Sequence, residues 1–246
     1  MFRFKQFSIE DSGATMKVGT DAVLLGALAL SGNVAPALPR PRRILDIGTG
    51  CGILALMMAQ RFADATVDAI DIDGQTTAVA AANFDRSPWG LRIKAANIDL
   101  QHFAERHIAE QQPHYDLIIS NPPYFANSLK NSDPRRTMAR HSDNSLDLPQ
   151  MLRLAAAMLT ADGILAIIIP AENAANAASS AAQYGLQCVS STGIANHIAD
   201  APKRSVLHFA RRTNAPDGTR YATVALRNAD NSYSDEYKTL MQPFLL

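Results

Sequence analysis

Two short stretches concentrate the residues able to do chemistry. The first is Asp46-Ile47-Gly48-Thr49-Gly50-Cys51-Gly52. Alternating glycines allow a tight turn and let a ligand approach the backbone closely. A dinucleotide site wants G-x-G-x-x-G/A, but counting from Gly48 and Gly50 the sixth position is Ile53, so that pattern fails. The spacing D-x-G-x-G-x-G holds instead, with Asp46 inside it. An acid suits a cationic ligand better than a pyrophosphate, and S-adenosylmethionine carries both an amino group and a sulfonium. The plain alternative is a glycine turn with a structural role only.

The second stretch is Ser120-Asn121-Pro122-Pro123-Tyr124. Both prolines lack an N–H and fix φ, which stiffens the chain. Asn121 offers a side-chain carbonyl and Pro122 a backbone carbonyl. Two convergent acceptors can hold both hydrogens of a planar NH2 group. Its lone pair, otherwise delocalised into a ring or carbonyl, then turns toward an incoming methyl. No strong base is needed beforehand, so proximity and orientation carry much of the rate. Tyr124 can stack on a planar substrate. A Pro-Pro stop after a strand also occurs without function, but its pairing with the glycine turn favours chemistry.

These stretches need elements to hold them. Ile44 to Gly50 reads as a buried strand entering the glycine turn, and Cys51 to Phe62 as a helix. A second strand, Ala65 to Asp73, and helix, Gly74 to Arg86, follow, then a third strand, Leu91 to Asp99. Asp116 to Tyr124 is a fourth strand stopped by its prolines. A helix (Leu148 to Thr160), an apolar strand (Gly163 to Pro170), a helix (Ala171 to Gly185), an antiparallel pair and a last strand (Tyr221 to Arg227) complete the chain. Such alternation implies an α/β fold with a doubly wound, mostly parallel sheet. Ligands of such sheets bind at the carboxyl ends of the strands. Asp71 ends the second strand, where a carboxylate can accept both ribose hydroxyls; Asp73 is better placed to cap the next helix. Asp99 follows the third strand and could accept from an adenine amino group, although a surface carboxylate fits that position equally. Cys51 reads as a small packing residue. Upstream, Phe2, Phe4 and Phe7 alternate with polar residues as in a short strand. Asp21 could cap a helix beginning at Ala22, ended by Gly32-Asn33, before a proline-spaced connector.

With 47% hydrophobic residues the chain has material for a core. Lys+Arg and Asp+Glu both number 23, so a sequence-blind nucleic-acid coat, which rests on phosphate neutralisation, is disfavoured. Basic clusters remain: Lys130, Arg135, Arg136 and Arg140 against Asp133, and Lys203, Arg204, Arg211 and Arg212. From charge alone, solvated surface is the favoured reading of each. Cys51 and Cys188 make no disulfide framework and suit a reducing compartment. No Cys/His spacing suggests a metal. The apolar run Ala22 to Leu30 is far short of the roughly 20 residues a membrane span needs, and the N-terminus has no signal-peptide core. A soluble cytoplasmic protein, without membrane or metal, is expected.

DIGTGCG, Asp71 and SNPPY together resemble the class I S-adenosylmethionine-dependent methyltransferases that act on an amino nitrogen. FKQF (Phe4 to Phe7), MKVGTDAVLLGA (Met16 to Ala27), SPWGLRI (Ser87 to Ile93) and SNPPYFANSLK followed by ARHSD resemble, more narrowly, the bacterial tRNA adenine-N6 methyltransferases acting at position 37 of valine tRNA. The resemblance covers essentially the whole chain. It implies a Rossmann-like methyltransferase domain over residues 42–246, preceded by an extension, residues 1–41, that covers the cofactor pocket. It implies that Asp46, Gly48, Gly50 and Gly52 line the methionine end of S-adenosylmethionine. Asp71, with Ile72 beside it, would bind the ribose, and Asp99 would sit at the adenine. Asn121, also at the cofactor, would hold the target base with Pro122, Pro123 and Tyr124. Lys17, Gly19, Thr20 and Asp21 would cover the pocket. The anticodon loop of valine tRNA would be the partner, with Lys130, Arg135, Arg136, Arg140, Lys203 and Arg204 on its backbone. Ala22 departs from the glycine such enzymes often carry there. The same proline motif serves protein glutamine and DNA adenine methylation, but those enzymes usually add recognition domains larger than residues 1–41. A non-catalytic RNA-binding protein on the same scaffold would not need the intact Asn121-Pro122-Pro123-Tyr124.

Overall fold

Apolar runs set the strands. Ile44, Leu45 and Ile47 are buried in β3 (Arg43–Ile47), and Leu117, Ile118 and Ile119 in β6 (Tyr115–Ser120). The computed structural model describes residues 1–15, 17–31, 40–123, 147–215 and 218–245. From β3 the chain runs through α2 (Ile53–Arg61), β4 (Thr66–Asp71), α3 (Gly74–Asp85), β5 (Ile93–Asn97) and α4 (Leu100–Ala109) to β6. From residue 147 onward come α5 (Leu148–Met158), β7 (Leu159–Pro170), α6 (Ala174–Gln183), β8 (Leu186–His197), β9 (Arg204–Arg211), β10 (Arg220–Arg227) and α7 (Asp235–Met241). The eight strands are ordered β10-β8-β9-β7-β6-β3-β4-β5. Every neighbouring pair is parallel except those made by β9, which runs against both β7 and β8. The expected α/β doubly wound sheet and its antiparallel strand pair are present. β10 lies parallel beside β8, a partner that strand patterning does not reveal.

Each face of the sheet carries an apolar layer. One packs α1 (Thr20–Leu28), α2, α3 and α7 with Phe4, Phe7 and Ile9; the other packs α4, α5 and α6. No helix among the described residues is long and apolar enough to cross a membrane. Nor do those residues gather three or more His, Cys, Asp or Glu side chains for a metal ion.

Four readings of the chain change. The N-terminal aromatics make a hairpin, β1 (Phe2–Arg3) with β2 (Ser8–Ile9), because Phe4 N–H donates to Phe7 O at 2.9 Å and their rings stack at 4.4 Å. Helix α1 begins at Thr20 behind Gly19, and Asp21 lies in its first turn instead of capping it. The helix ends at Leu28, and Leu30 follows with φ at +51°; Gly32 and Asn33 lie outside the described residues. Helices α4 and α7 are additions. Leu100, Phe103, Ala104 and His107 form the buried stripe of α4, at helical spacing, among otherwise polar residues.

One buried group makes stability depend on pH. His208 on β9 is fully buried, its Nδ1 3.0 Å from Ser190 Oγ on β8, and burial, helped by the nearby Arg61 charge, pushes it down to about 3. The unfolded imidazole titrates near 6.5. Below about 6.5 the unfolded chain therefore binds the extra proton, so this contribution is full above that pH and lost as pH falls toward 3. Urea titrations at pH 7.5 and 5 should show a smaller acid loss in His208→Gln than in the parent. Equal losses would exclude His208 as a source of the acid sensitivity.

Candidate functional site

After β5 the chain returns through α4 to β6, on the other side of β3. The strand order reverses between β3 and β6, and their carboxyl ends are where such a sheet forms a ligand crevice. Ile47 pairs with Ser120 at that end, and Ser120 Oγ donates to Ile47 O at 2.8 Å. The glycine turn follows Ile47 directly, and Asn121 follows Ser120. The two stretches singled out in the sequence thus leave adjacent strands at one rim.

The glycine turn is held from outside itself. Gly48 and Thr49 N–H both donate to Ile70 O at 2.9 Å, and Gly50 N–H donates to Asp71 Oδ2 at 2.9 Å. An added Cβ at Gly48 or Gly50 would meet nothing within 4 Å. Their faces are therefore open to a ligand. Gly52 differs: with φ at +89° it opens α2, and an added Cβ would run into the Phe84 ring. We expect Gly52→Ala to lose about 1–3 kcal/mol of stability from left-handed backbone strain and overpacking. Chemical denaturation checks this, and an unchanged midpoint would exclude the clash.

Asp46 is fully buried. Its Oδ2 accepts from Thr49 Oγ1 at 2.6 Å and from Ala55 N–H at 3.1 Å, while its Oδ1 has no hydrogen-bond partner among the described residues. Burial pushes this carboxyl up to about 7, against the two hydrogen bonds. Asp71, at the end of β4, is also raised, chiefly by burial. Its Oδ1 accepts from Asp73 N–H at 3.0 Å and its Oδ2 from Gly50. A carboxylate has about four lone-pair sites, so both oxygens retain capacity for further donors. Two acids raised by burial beside an open glycine turn fit a cationic ligand, whose charge would favour their ionised forms. The donor set therefore fits S-adenosylmethionine. Cys51 is buried, and its thiol is pushed up to about 11, as suits a packing residue.

The other candidates fall on the same rim or outside the described residues. Ile72 leaves a large apolar side chain 49% exposed directly after Asp71. Asp73 caps α3 as expected, accepting from Thr76 N–H at 2.7 Å. Asp99 caps α4 through His102 N–H and also meets His102 Nδ1, so an adenine amino group would have to share it. Asn121 is half-buried, Pro122 buried and Pro123 exposed. Tyr124, Lys130, Arg135, Arg136 and Arg140 lie outside the described residues. Lys17, Gly19 and Thr20 are exposed at the entry to α1. Asp21 pairs with Arg204, Oδ2 to Nε at 2.9 Å, so a candidate cofactor residue and a candidate RNA residue hold each other. The second basic cluster is divided. Lys203 and Arg204 stand at the site rim, where Arg204 pairs with Pro170 of the parallel strand β7. Arg211, at the far end of β9, donates to Ala156 O and Leu159 O at the C-terminal end of α5.

A family model for the methyltransferase small domain matches residues 20–180. Over its full length the chain is 38% identical to the tRNA1(Val) (adenine(37)-N6)-methyltransferase of Pedobacter heparinus, covering 97% of that protein. It is 36% identical to the protein of the same name from Shigella dysenteriae serotype 1, covering 94% of it. Among solved structures, "a predicted O-methyltransferase" from Agrobacterium tumefaciens superimposes with a TM-score of 0.68 at 18% identity, over 91% of this chain and 96% of that one. An O-methyltransferase family protein from Burkholderia thailandensis gives 0.53 at 15% identity, over 80% and 56%. At these identities the two structures establish the class I methyltransferase fold alone.

Proposed function

The chain belongs to the methyltransferase small-domain family, and on that premise we propose that it methylates the N6 amino group of adenine 37 in valine tRNA. This is the reaction for which its full-length relatives are named. The observation that carries the chemistry is the adjacency of β3 and β6, which sets Asn121 and Pro122 beside the glycine turn. Bound there, S-adenosylmethionine supplies a methyl group activated by a sulfonium.

The chain's residues do the rest. Asp46 and the turn of Gly48, Gly50 and Gly52 would hold the methionine end, Asp71 the ribose hydroxyls, and Ile72 one face of the adenine, with Asp99 beyond. Asn121 Oδ1 and the Pro122 carbonyl would take the two hydrogens of the target NH2, directing its lone pair at the methyl carbon. Tyr124 would stack on the base. A loop base is splayed out of its stack more cheaply than a base in a duplex, which suits a substrate next to the anticodon. Residues 1–41 would close the pocket, with Lys17, Gly19, Thr20 and Asp21 at its mouth. Acting on tRNA, the protein would work in the cytoplasm.

Lys130, Arg135, Arg136, Arg140, Lys203 and Arg204 would meet the RNA backbone. Reversing Arg135 and Arg136 to Glu should weaken tRNA binding and flatten its salt dependence, with cofactor affinity unchanged. A salt slope equal to the parent's would remove both arginines from the interface. Mass spectrometry of individually purified tRNAs, with and without the gene, tests the reaction itself. Adenine 37 of valine tRNA should lose its N6-methyl mark in the deletion strain. Persistence of the mark defeats the assignment, and loss of methyl from a peptide glutamine instead selects the other substrate of this motif.

A further inference from the structure

Helix α3 carries two polar side chains, Thr76 and Asn83, that are fully buried and seven residues apart, so they share one face. The amide of Asn83 is saturated. Its Oδ1 accepts from Glu10 N–H at 3.0 Å and from Arg86 at 2.6 Å. Its Nδ2 donates to Glu10 O and to Cys51 O, each at 2.8 Å. One side chain thereby pairs with both backbone groups of Glu10, as a neighbouring strand would, and joins them to a carbonyl of the glycine turn. Two turns earlier on α3, Thr76 Oγ1 accepts from Thr15 N–H at 3.0 Å. Val18 N–H also reaches Asp11 Oδ2 at 3.3 Å, and Asp21 is pinned by Arg204. The N-terminal segment therefore crosses α3 between two buried anchors before it arrives at Lys17 to Asp21.

We propose that Asn83 is a positioning residue for cofactor binding, locking the N-terminal segment to the glycine turn so that Lys17 to Asp21 are pre-placed over the pocket. Being fully buried, it would touch neither cofactor nor substrate. It acts through the Cys51 carbonyl on one side and Glu10 on the other. Ordering a cover in advance reduces what must be ordered on binding, which raises affinity without adding a contact. A side chain that joins cover to turn makes the two interdependent, and such couplings are typically worth about 5–150-fold in affinity. This inference rests on the cofactor assignment above.

The test uses the full chain with Asn83→Ala, and Thr76→Val as a milder variant that removes only the Thr15 anchor. Hydrogen exchange without cofactor should show the Glu10 and Thr15 amides exchanging faster in Asn83→Ala, with β3 and β6 as protected as in the parent. Calorimetry should show S-adenosylmethionine binding at least about tenfold weaker. Turnover at saturating cofactor should stay within about twofold, so the defect falls on KM and not on kcat. Thr76→Val should loosen Thr15 and weaken binding less. Should the parent itself fail to bind S-adenosylmethionine, the cofactor assignment falls and the coupling falls with it. Should the parent bind while Asn83→Ala keeps its affinity, with or without faster exchange, only the coupling falls. Equal losses in kcat and kcat/KM with deprotected core strands would mark Asn83 as a folding residue and overturn the proposal. Asn83→Asp separates the amide's two halves: it keeps the acceptor for Glu10 N–H but loses both donors, and should bind as weakly as Asn83→Ala.

Discussion

Asn121→Ala is expected to slow methyl transfer at least about a hundredfold, the usual loss when one transition-state contact is removed, while S-adenosylmethionine affinity stays near that of the parent. The structure explains why the effect should stay local. Ser120 anchors the end of β6 to β3 through Ile47 O, and Pro122 is buried, so the backbone keeps its course without the amide. The Pro122 carbonyl would still hold one hydrogen of the target amine. Losing the second acceptor would let the NH2 rotate, and its lone pair would spend less time aimed at the methyl carbon. Single-turnover rates at saturating cofactor measure the chemical step, and calorimetry measures binding separately. Near-normal rates would remove Asn121 from amine positioning, and a matching loss of cofactor affinity would make it a cofactor residue first.

Asp71→Ala should weaken S-adenosylmethionine binding by about 1.5–3 kcal/mol, the scale of hydrogen bonds to a charged group, or roughly 10–150-fold. Two effects act together. The ribose hydroxyls would lose their proposed acceptor, and Gly50 N–H and Asp73 N–H would lose theirs, at 2.9 and 3.0 Å. The second effect would loosen the glycine turn proposed to hold the methionine end. Asp71→Asn keeps the shape and one oxygen, and it should lie between the parent and the alanine variant. Calorimetry on variants with parental denaturation midpoints separates binding from folding. Unchanged affinity in Asp71→Ala would exclude the ribose role.

The glycine turn and the Asn121-Pro122 pair were legible because both are local. Their residue types at fixed spacing state the backbone geometry, and alternating strands and helices state which rim they share. What stayed hidden depends on partners distant in sequence. Asp99 lies after a strand, where a ligand acceptor is plausible, but it begins α4, whose buried stripe is diluted by His102, Glu105 and Arg106. Asp21 looks like a cap until Arg204, on β9, claims it. Arg211 looks like a surface cation, but its guanidinium donates to the carbonyls at the C-terminal end of α5. Asn83 has no signature at all, since an amide within a helix shows its partners only once the N-terminus is folded over it. Nothing in Arg220 to Arg227 says that it joins β8 in parallel.

The β3–β6 pairing also sets a timetable for synthesis. Residues 44–47 pair with residues 117–120, so β3 leaves the ribosome with one edge unpaired and keeps it so until β6 follows. During that interval α2, β4, α3, β5 and α4 can assemble on its other side from contacts close along the chain. The crevice between β3 and β6 cannot exist before the last of these is made, because one of its walls has not been synthesised. Long-range parallel pairing of this kind is slow, and an exposed strand edge in a nascent chain invites pairing with other chains. Substitutions that weaken β6, at Leu117 or Ile119, should therefore lower the yield of soluble protein more than their equilibrium cost implies.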